Sequence, residues 1–299
     1  MKIRLLVNKV RKLGIKLGFL KFIGYEAVFS CAFSIREMGK ELYVKDNTEK
    51  KGFILLNASD EYWYADPLIC KYADEEVVFL ERVNRKTGLG CIAYSKIENG
   101  NWSEVIPVIE EPFHMSFPMC FLWGGELYMI PETEMSESII LYRCTSFPDK
   151  WEKVTEGLSG YRLVDSVVES IEDDRIVLIA SEYDREDDFY TRFHRYEVVH
   201  NDGCYAINYL NRINDNFKLN GRMAGYPINN LFPIQRSTSG VYGYSVQFAD
   251  GNPTSGNIIA EIEPKDIAVK GKKLIGVHTY CCSDEYEIID VQYLVKKIK

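Results

Sequence analysis

The chain has 299 residues, 46% of them hydrophobic, which suits one large all-β domain or two ordinary ones and excludes a disordered chain. Its net charge of −8 excludes a general nucleic-acid binder, which would carry a basic face. Eight scattered cysteines lack zinc-ligand spacing, so they read as buried thiols in a reducing compartment, and neither a metal nor a cofactor is expected. No apolar run reaches about 18 residues, and the N-terminus lacks a signal-peptide core. A cytoplasmic location follows, either free or at the inner face of the membrane.

Residues 1–25 form a separate unit. Ile3, Leu6, Val10, Leu13, Leu17 and Leu20 recur at three- and four-residue intervals, with Lys2, Arg4, Lys9, Arg11, Lys12, Lys16 and Lys21 between them and no acidic residue. This predicts a short basic amphipathic helix. Two readings stand side by side: peripheral membrane contact through residues 1–22, or a helix packed on the domain with its basic face in water.

Residues 26–299 read as repeats. An apolar strand, a polar turn and a second apolar strand recur in "YWYADPLICKYADEEVVFLERV", "SFPMCFLWGGELYMIPETE", "LVDSVVESIEDDRIVLIASEY", the shorter "RMAGYPINNLFPIQRS" and "GVHTYCCSDEYEIIDV". Their starts, near 66, 117, 165, 224 and 278, lie about 48 to 59 residues apart, the length of a four-stranded propeller blade. Gly124-Gly125 and Asn229-Asn230 suit tight hairpin turns. "GCIAYSKIENGNW" and "SIILYRCTSFPDKW" each encode a third strand, a polar turn and a fourth strand that carries Trp102 or Trp151. "YEAVFSCAFSIRE" is a strand without a hairpin of its own, and it completes the last blade so that no edge stays open. The expected fold is an all-β, five-bladed β-propeller.

Innermost strands come first in each blade, so residues at their starts gather at one mouth. Asp66, His114, Ser116, Asp165, Arg222 and His278 are thereby brought into one ring. Each has a plainer reading. Asp66 before Pro67 suits a turn, Glu81 and Glu132 suit bridges between blades, and Gln235 closes a shortened hairpin. His194 and His200 fit a solvated strand and turn.

The stretches "YADPLI", "FHMSFPMCFLWGGELYMIPET", "LYRCTSFPDKW" and "HTY" resemble the glucosamine inositolphosphorylceramide transferase N-terminal-domain family, across roughly residues 28 to 292. That resemblance implies a five-bladed propeller similar to furanosidase-type glycoside hydrolases, which use an Asp base, a second Asp that tunes pKa and a Glu acid. Asp66 fits the first, and Asp165 with Glu132 supply the others, although blade two opens with Ser116-Phe117 where a carboxylate is expected. It also implies work on cell-surface polysaccharide or glycolipid. In the plant proteins a separate domain resembles the glycosyltransferase, so the family name does not carry its reaction here.

Three functions follow as expectations. The first is an enzyme that transfers or cleaves a glycosyl unit, with Asp66, Glu132 and Asp165 catalytic and Glu81, His114, Ser116, Arg222, Gln235 and His278 binding substrate. A glycan, sugar nucleotide or lipid-linked sugar would be the partner, with His114, Arg222 and His278 on a phosphate leaving group. The second is a glycan-binding propeller with Tyr62, Trp63, Tyr64 and Trp123 stacking on sugars, and the third a scaffold at the membrane.

Overall fold

A computed structural model describes residues 25–44, 49–182, 192–213, 221–238, 241–251 and 257–296. The expected basic helix lies outside the described residues. Within them, five antiparallel sheets succeed one another along the chain as blades of a propeller. Blade one is Tyr62–Tyr72, Glu75–Asn84, Gly90–Ser95 and Ile106–Ile109. Blade two is Ser116–Trp123, Glu126–Glu132, Ile139–Ser146 and Lys150–Gly157. Blade three is Leu163–Ile171, Arg175–Glu182, Phe193–Asn201 and Cys204–Arg212. Blade four has an inner strand of only two residues, Arg222–Met223, then Leu231–Thr238, Val241–Asp250 and Ile258–Ile262.

Blade five joins the two ends of the chain. Its inner strands are Leu274–Cys282 and Tyr286–Lys296, and its third and fourth are Tyr25–Ile35 and Lys51–Leu55, with Ile267–Val269 parallel to the outermost. Tyr25–Ile35 pairs along all of its length with Tyr286–Lys296, so the expected closure of the ring is present and both strands lose an open edge.

The turns follow their sequences. Gly124 and Gly125 both have positive φ between paired Trp123 and Glu126, and so do Asn229 and Asn230 between bridged Ile228 and Leu231. Positive φ at both central residues is what a two-residue hairpin needs. One expected element differs. Trp151 stands on the fourth strand of blade two, but Trp102 is not on the fourth strand of blade one; the Asn99-Gly100 turn makes a small ribbon, Ile97–Glu98 with Asn101–Trp102, and Ile106–Ile109 takes the outer place. The Trp102 indole donates to Ile54 O and packs edge-on against Phe33, which ties the ribbon to blade five.

Inner strands carry a shared irregularity that positions the site. Ala65 pairs with Glu81 and Leu68 with Phe79, so Asp66 and Pro67 stand against Leu80 alone. The same two-against-one bulge sets Phe117-Pro118 against Pro131, Asp165-Ser166 against Ala180, and His278-Thr279 against Asp290. Asp66, Phe117 and Asp165 have φ of 48°, 44° and 50°. A bulge re-aims its side chain and tightens the twist, and here it does so at one level of several blades. Asp tolerates this left-handed backbone; a bulky Phe rarely adopts it.

Below that level the channel is filled. Leu68, Met119, Val167, Met223 and Cys281, one from each inner strand, belong to one buried cluster. The mouth therefore has an apolar floor. Gly225, at φ +150°, packs where blades four and five meet: a Cβ there would stand 2.0 Å from Tyr280 O, and the Tyr280 amide donates to Ala224 O. Gly225→Ala is expected to cost about 3 kcal/mol, since backbone cannot move aside. Urea unfolding checks this, and an unchanged midpoint would show that the two blades separate freely.

Candidate functional site

Four bulges and the short inner strand of blade four bring residues from all five blades to one mouth. His278 lies in blade five with its Nδ1 3.0 Å from Asp66 Oδ1 and 3.0 Å from Asp290 Oδ2. One ring proton cannot serve both. It is aligned on Asp290, so Asp66 Oδ1 receives the charge and, among the described residues, no aligned donor.

Asp290 is fully buried and was not expected from the sequence as a site residue. Its Oδ1 accepts the amides of His278 (3.1 Å) and Thr279 (2.6 Å), and its Oδ2 accepts His278 Nδ1 and the amide of Asp66 (3.1 Å). The carboxylate thus satisfies the bulge of its own blade and the first bulge of the next. The ligand atoms of Asp66, His278 and Asp290 lie within 4.8 Å of one another, a spacing that a cation could fill. With four donors already on Asp290, the trio is better described as an internal ion pair holding a proton.

Each charge has a stated physical cause. Burial pushes the His278 pKa down, but the charges of Asp290 and Asp66 and their contacts raise it from 6.5 to about 10, so it is an imidazolium. Burial pushes Asp66 up, yet the His278 charge, Arg222 and a hydrogen bond from the Phe117 amide outweigh it, and Asp66 is held below its ordinary value. Asp66 therefore takes from blade two what Asp290 takes from blade one, a bulge amide.

Across the mouth, Arg222 Nε stands 2.8 Å from Asp165 Oδ2 and donates to Gln235 Oε1 at 3.0 Å, and its Nη1 lies 3.6 Å from Glu132 Oε2. Gln235 is buried and faces Arg222 in register, so it supports that guanidinium. Burial pushes Asp165 well above its ordinary value, Arg222 opposes this, and Glu132 and Asp66 add to it. The shift favours the protonated form of Asp165, whose hydroxyl would donate to the adjoining Glu132 carboxylate. Glu132 Oε2 and Asp165 Oδ2 are buried without an aligned donor otherwise.

Glu81 and His114 form a second pair between blades one and two, with Nε2 2.8 Å from Glu81 Oε1. Burial raises Glu81 to about 7 against the pull of His114. Burial lowers His114, but Glu81 and then Glu132 bring it up to about 9. His114 Nδ1 lies 2.9 Å from the Gly90 amide and 3.2 Å from Gly88 O. The Gly90 amide donates to Nδ1 when the ring is neutral, and the imidazolium instead donates from Nδ1 to Gly88 O. Ser116 is buried opposite Glu132 in register.

An aromatic arc borders the His278 side. Phe29 lies 5.7 Å from Trp63 and 5.4 Å from the His278 ring, and Tyr242, 43% exposed, lies 5.1 Å from His278 and offers its hydroxyl 3.2 Å from Nε2. Arg222 sits over the Tyr242 ring at 5.2 Å. Phe29 and Tyr242 were not foreseen, because both stand on third strands, whereas the sequence pattern points to the first two strands of each blade. Of the aromatics expected to stack on sugars, Trp63 is at the mouth and Tyr62 lies beneath the Arg82 guanidinium. Tyr64 is buried, and Trp123 is buried at the far end of its strand, its indole donating to Glu172 O and Asp173 O. Those two serve packing. His194 is buried as well, between Glu182 and Tyr209, instead of solvated.

The Asp290 clamp is testable by titration. A histidine pKa raised by folding adds stability that is complete below 6.5 and is lost as pH rises through about 10. Asp66, lowered by folding, adds stability that is lost as pH falls through its folded value. The His278 ring should stay protonated at about pH 8 by NMR, and Asp290→Asn should lower its titration by more than about one unit. Asp290→Ala should cost about 3–5 kcal/mol, because it strands a buried cation and three amides. A neutral His278 at about pH 8 in the wild type would sink this account.

The chain is 34% identical over 106 residues to glucosamine inositolphosphorylceramide transferase 1 of Arabidopsis thaliana, covering 35% of this chain and 14% of that protein. The protein of the same name from Oryza sativa subsp. indica is 34% identical over 94 residues, 30% of this chain and 13% of that protein. The chain thus spans a small part of the curated relatives it matches. Among solved structures, the catalytic domain of a Coprinopsis cinerea GH62 α-L-arabinofuranosidase covers 77% of this chain and 90% of its own at 8% identity and a TM-score of 0.46. An α-L-arabinofuranosidase from Lactobacillus brevis covers 75% and 80% at 11% identity and 0.42. Residues 56–274, most of the propeller, match one family, and the chain belongs to it: glucosamine inositolphosphorylceramide transferase 1, N-terminal.

Proposed function

We propose that the mouth is an acid–base site for a glycosyl unit, working in the synthesis of cell-surface polysaccharide or glycolipid. One observation carries this reading: two carboxyls in the same mouth have opposite shifts, Asp66 below its ordinary value and Asp165 well above. Environments that push paired groups apart are how a site obtains a base and an acid at neutral pH. Asp66 would accept the proton of water or of an acceptor hydroxyl. Asp165 would donate to the leaving oxygen, and Glu132 beside it would stabilise the positive charge developing on the sugar. Trp63, Phe29 and Tyr242 offer apolar faces on which a pyranose or furanose ring stacks.

The balance of charge narrows the donor. Five carboxyls, Asp66, Glu81, Glu132, Asp165 and Asp290, surround three bases, His114, Arg222 and His278, and each base faces at least one of them. The phosphate-binding role expected for those bases is accordingly not supported. A neutral glycan, or the sugar end of a lipid-linked one, suits the mouth better than a nucleotide diphosphate.

Asp66→Asn and Asp165→Asn test the reading, and Asn tolerates the left-handed backbone at both positions. Loss of either group should lower turnover of a cell-surface oligosaccharide by about 10² to 10⁴ with binding retained. The wild-type rate should fall at acid pH as Asp66 takes up a proton, and at alkaline pH as Asp165 loses its own. Full activity in either variant would leave these residues as structural turns. Binding of oligosaccharide by all three forms with no turnover in any would make the mouth a glycan-binding site.

A further inference from the structure

Inner strands begin, and second strands end, at the mouth. By that rule three features share its edge on blade five: Tyr25, where the described chain begins, Lys296, its register partner, and the loop of residues 270–273 that precedes Leu274–Cys282. In a chain of net charge −8, this edge gathers the exposed Lys270, Lys272 and Lys273. Lys272 Nζ sits 4.4 Å over the Tyr293 ring, which holds one of the three against the blade.

The same face carries exposed large side chains. Leu89 precedes the third strand of blade one, Met135 follows the second strand of blade two, Tyr161 precedes blade three, and Tyr242 opens the third strand of blade four. With Tyr25, they ring the mouth with separate apolar and amphipathic contacts, the kind that settle at a bilayer's headgroup level.

We propose that the blade-five edge of the mouth face docks on an anionic lipid surface, tilting the channel mouth towards the bilayer. Lysines near such a surface attract it electrostatically, each by about fivefold in partition, and the rim side chains sink between headgroups. The exposed Asp60, Glu61 and Glu110 on blade one oppose a flat approach, so the lysine-bearing edge leads. Combined with the glycan reading, on which this last step rests, docking delivers the sugar end of a lipid-linked glycan to Asp66 and Asp165.

Flotation of the full chain with vesicles of phosphatidylcholine, with and without phosphatidylglycerol, is the test. The wild type should float with the anionic vesicles alone. K270E/K272E/K273E should lower its partition by about a hundredfold or more, while K71E/K150E at the far end of the propeller should not. A triple variant that floats like the wild type, or a wild type that binds neutral vesicles equally or prefers RNA to vesicles, overturns the proposal. For the tilt, a polarity-sensitive dye is placed at Met135→Cys or at Met38→Cys on the opposite face, in a C204S background. Both methionines are exposed, and Cys204 is the exposed native thiol. A blue shift at 135 alone is expected; a shift at 38 alone, or at neither, overturns the orientation. Neither readout needs turnover, so their failure is separate from failure of the glycan reading.

Discussion

One buried carboxylate, Asp290, holds the mouth together. Left alone in an apolar interior it would cost several kcal/mol. With two amides of its own blade, one amide of the next and the His278 imidazolium, it becomes the anchor of the joint between blades five and one. The strand that carries it, Tyr286–Lys296, is also where the ring closes, because its partner, Tyr25–Ile35, comes from the other end of the chain. The carboxylate therefore couples closure of the fold to the charge state of the site.

From this anchor the electrostatics run around the channel. The Asp66 amide is given to Asp290, and the Phe117 amide to Asp66, so the bulges of blades one and two are each fastened by a carboxylate of the preceding blade. His278, charged because of Asp290, keeps Asp66 ionised. Asp165 lies across the mouth beside Glu132, over a floor of Leu68, Met119, Val167, Met223 and Cys281, and there desolvation outweighs Arg222. Two aspartates on equivalent bulges are consequently shifted in opposite directions. Their difference comes from neighbours on other blades, and the acid–base proposal rests on it.

The shortened fourth blade has a role in this arrangement. Its inner strand is only Arg222–Met223, and Gly225 brings the following chain against blade five. Arg222 is thereby placed where its guanidinium reaches Asp165, Glu132, Gln235 and the Tyr242 ring together. It balances the carboxyls of the far side of the mouth as His278 balances those of the near side.

Much of this was legible in the sequence, because it depends on local pattern. Alternating apolar strands, Gly-Gly and Asn-Asn turns and a repeat near 50 residues determine five blades, and the unpaired strand at residues 25–35 determines that the ring closes. They also determine that Asp66, Glu132, Asp165, Arg222 and His278 share a mouth, since each recurs at the start or end of its hairpin. Asp290 carried a signal too: an acidic residue inside the apolar run "EIIDVQY" must find donors. Which donors, and from which blade, was decided by register across the closure. Tyr64 and Trp123 look like sugar-stacking residues beside Trp63, yet their exposure depends on the side of the pleat and the end of the strand they occupy. The protonation of Asp66 and Asp165 was likewise left to the tertiary structure, because the cation beside each comes from more than 50 residues away, and only folding removes the water that would otherwise make two aspartates alike.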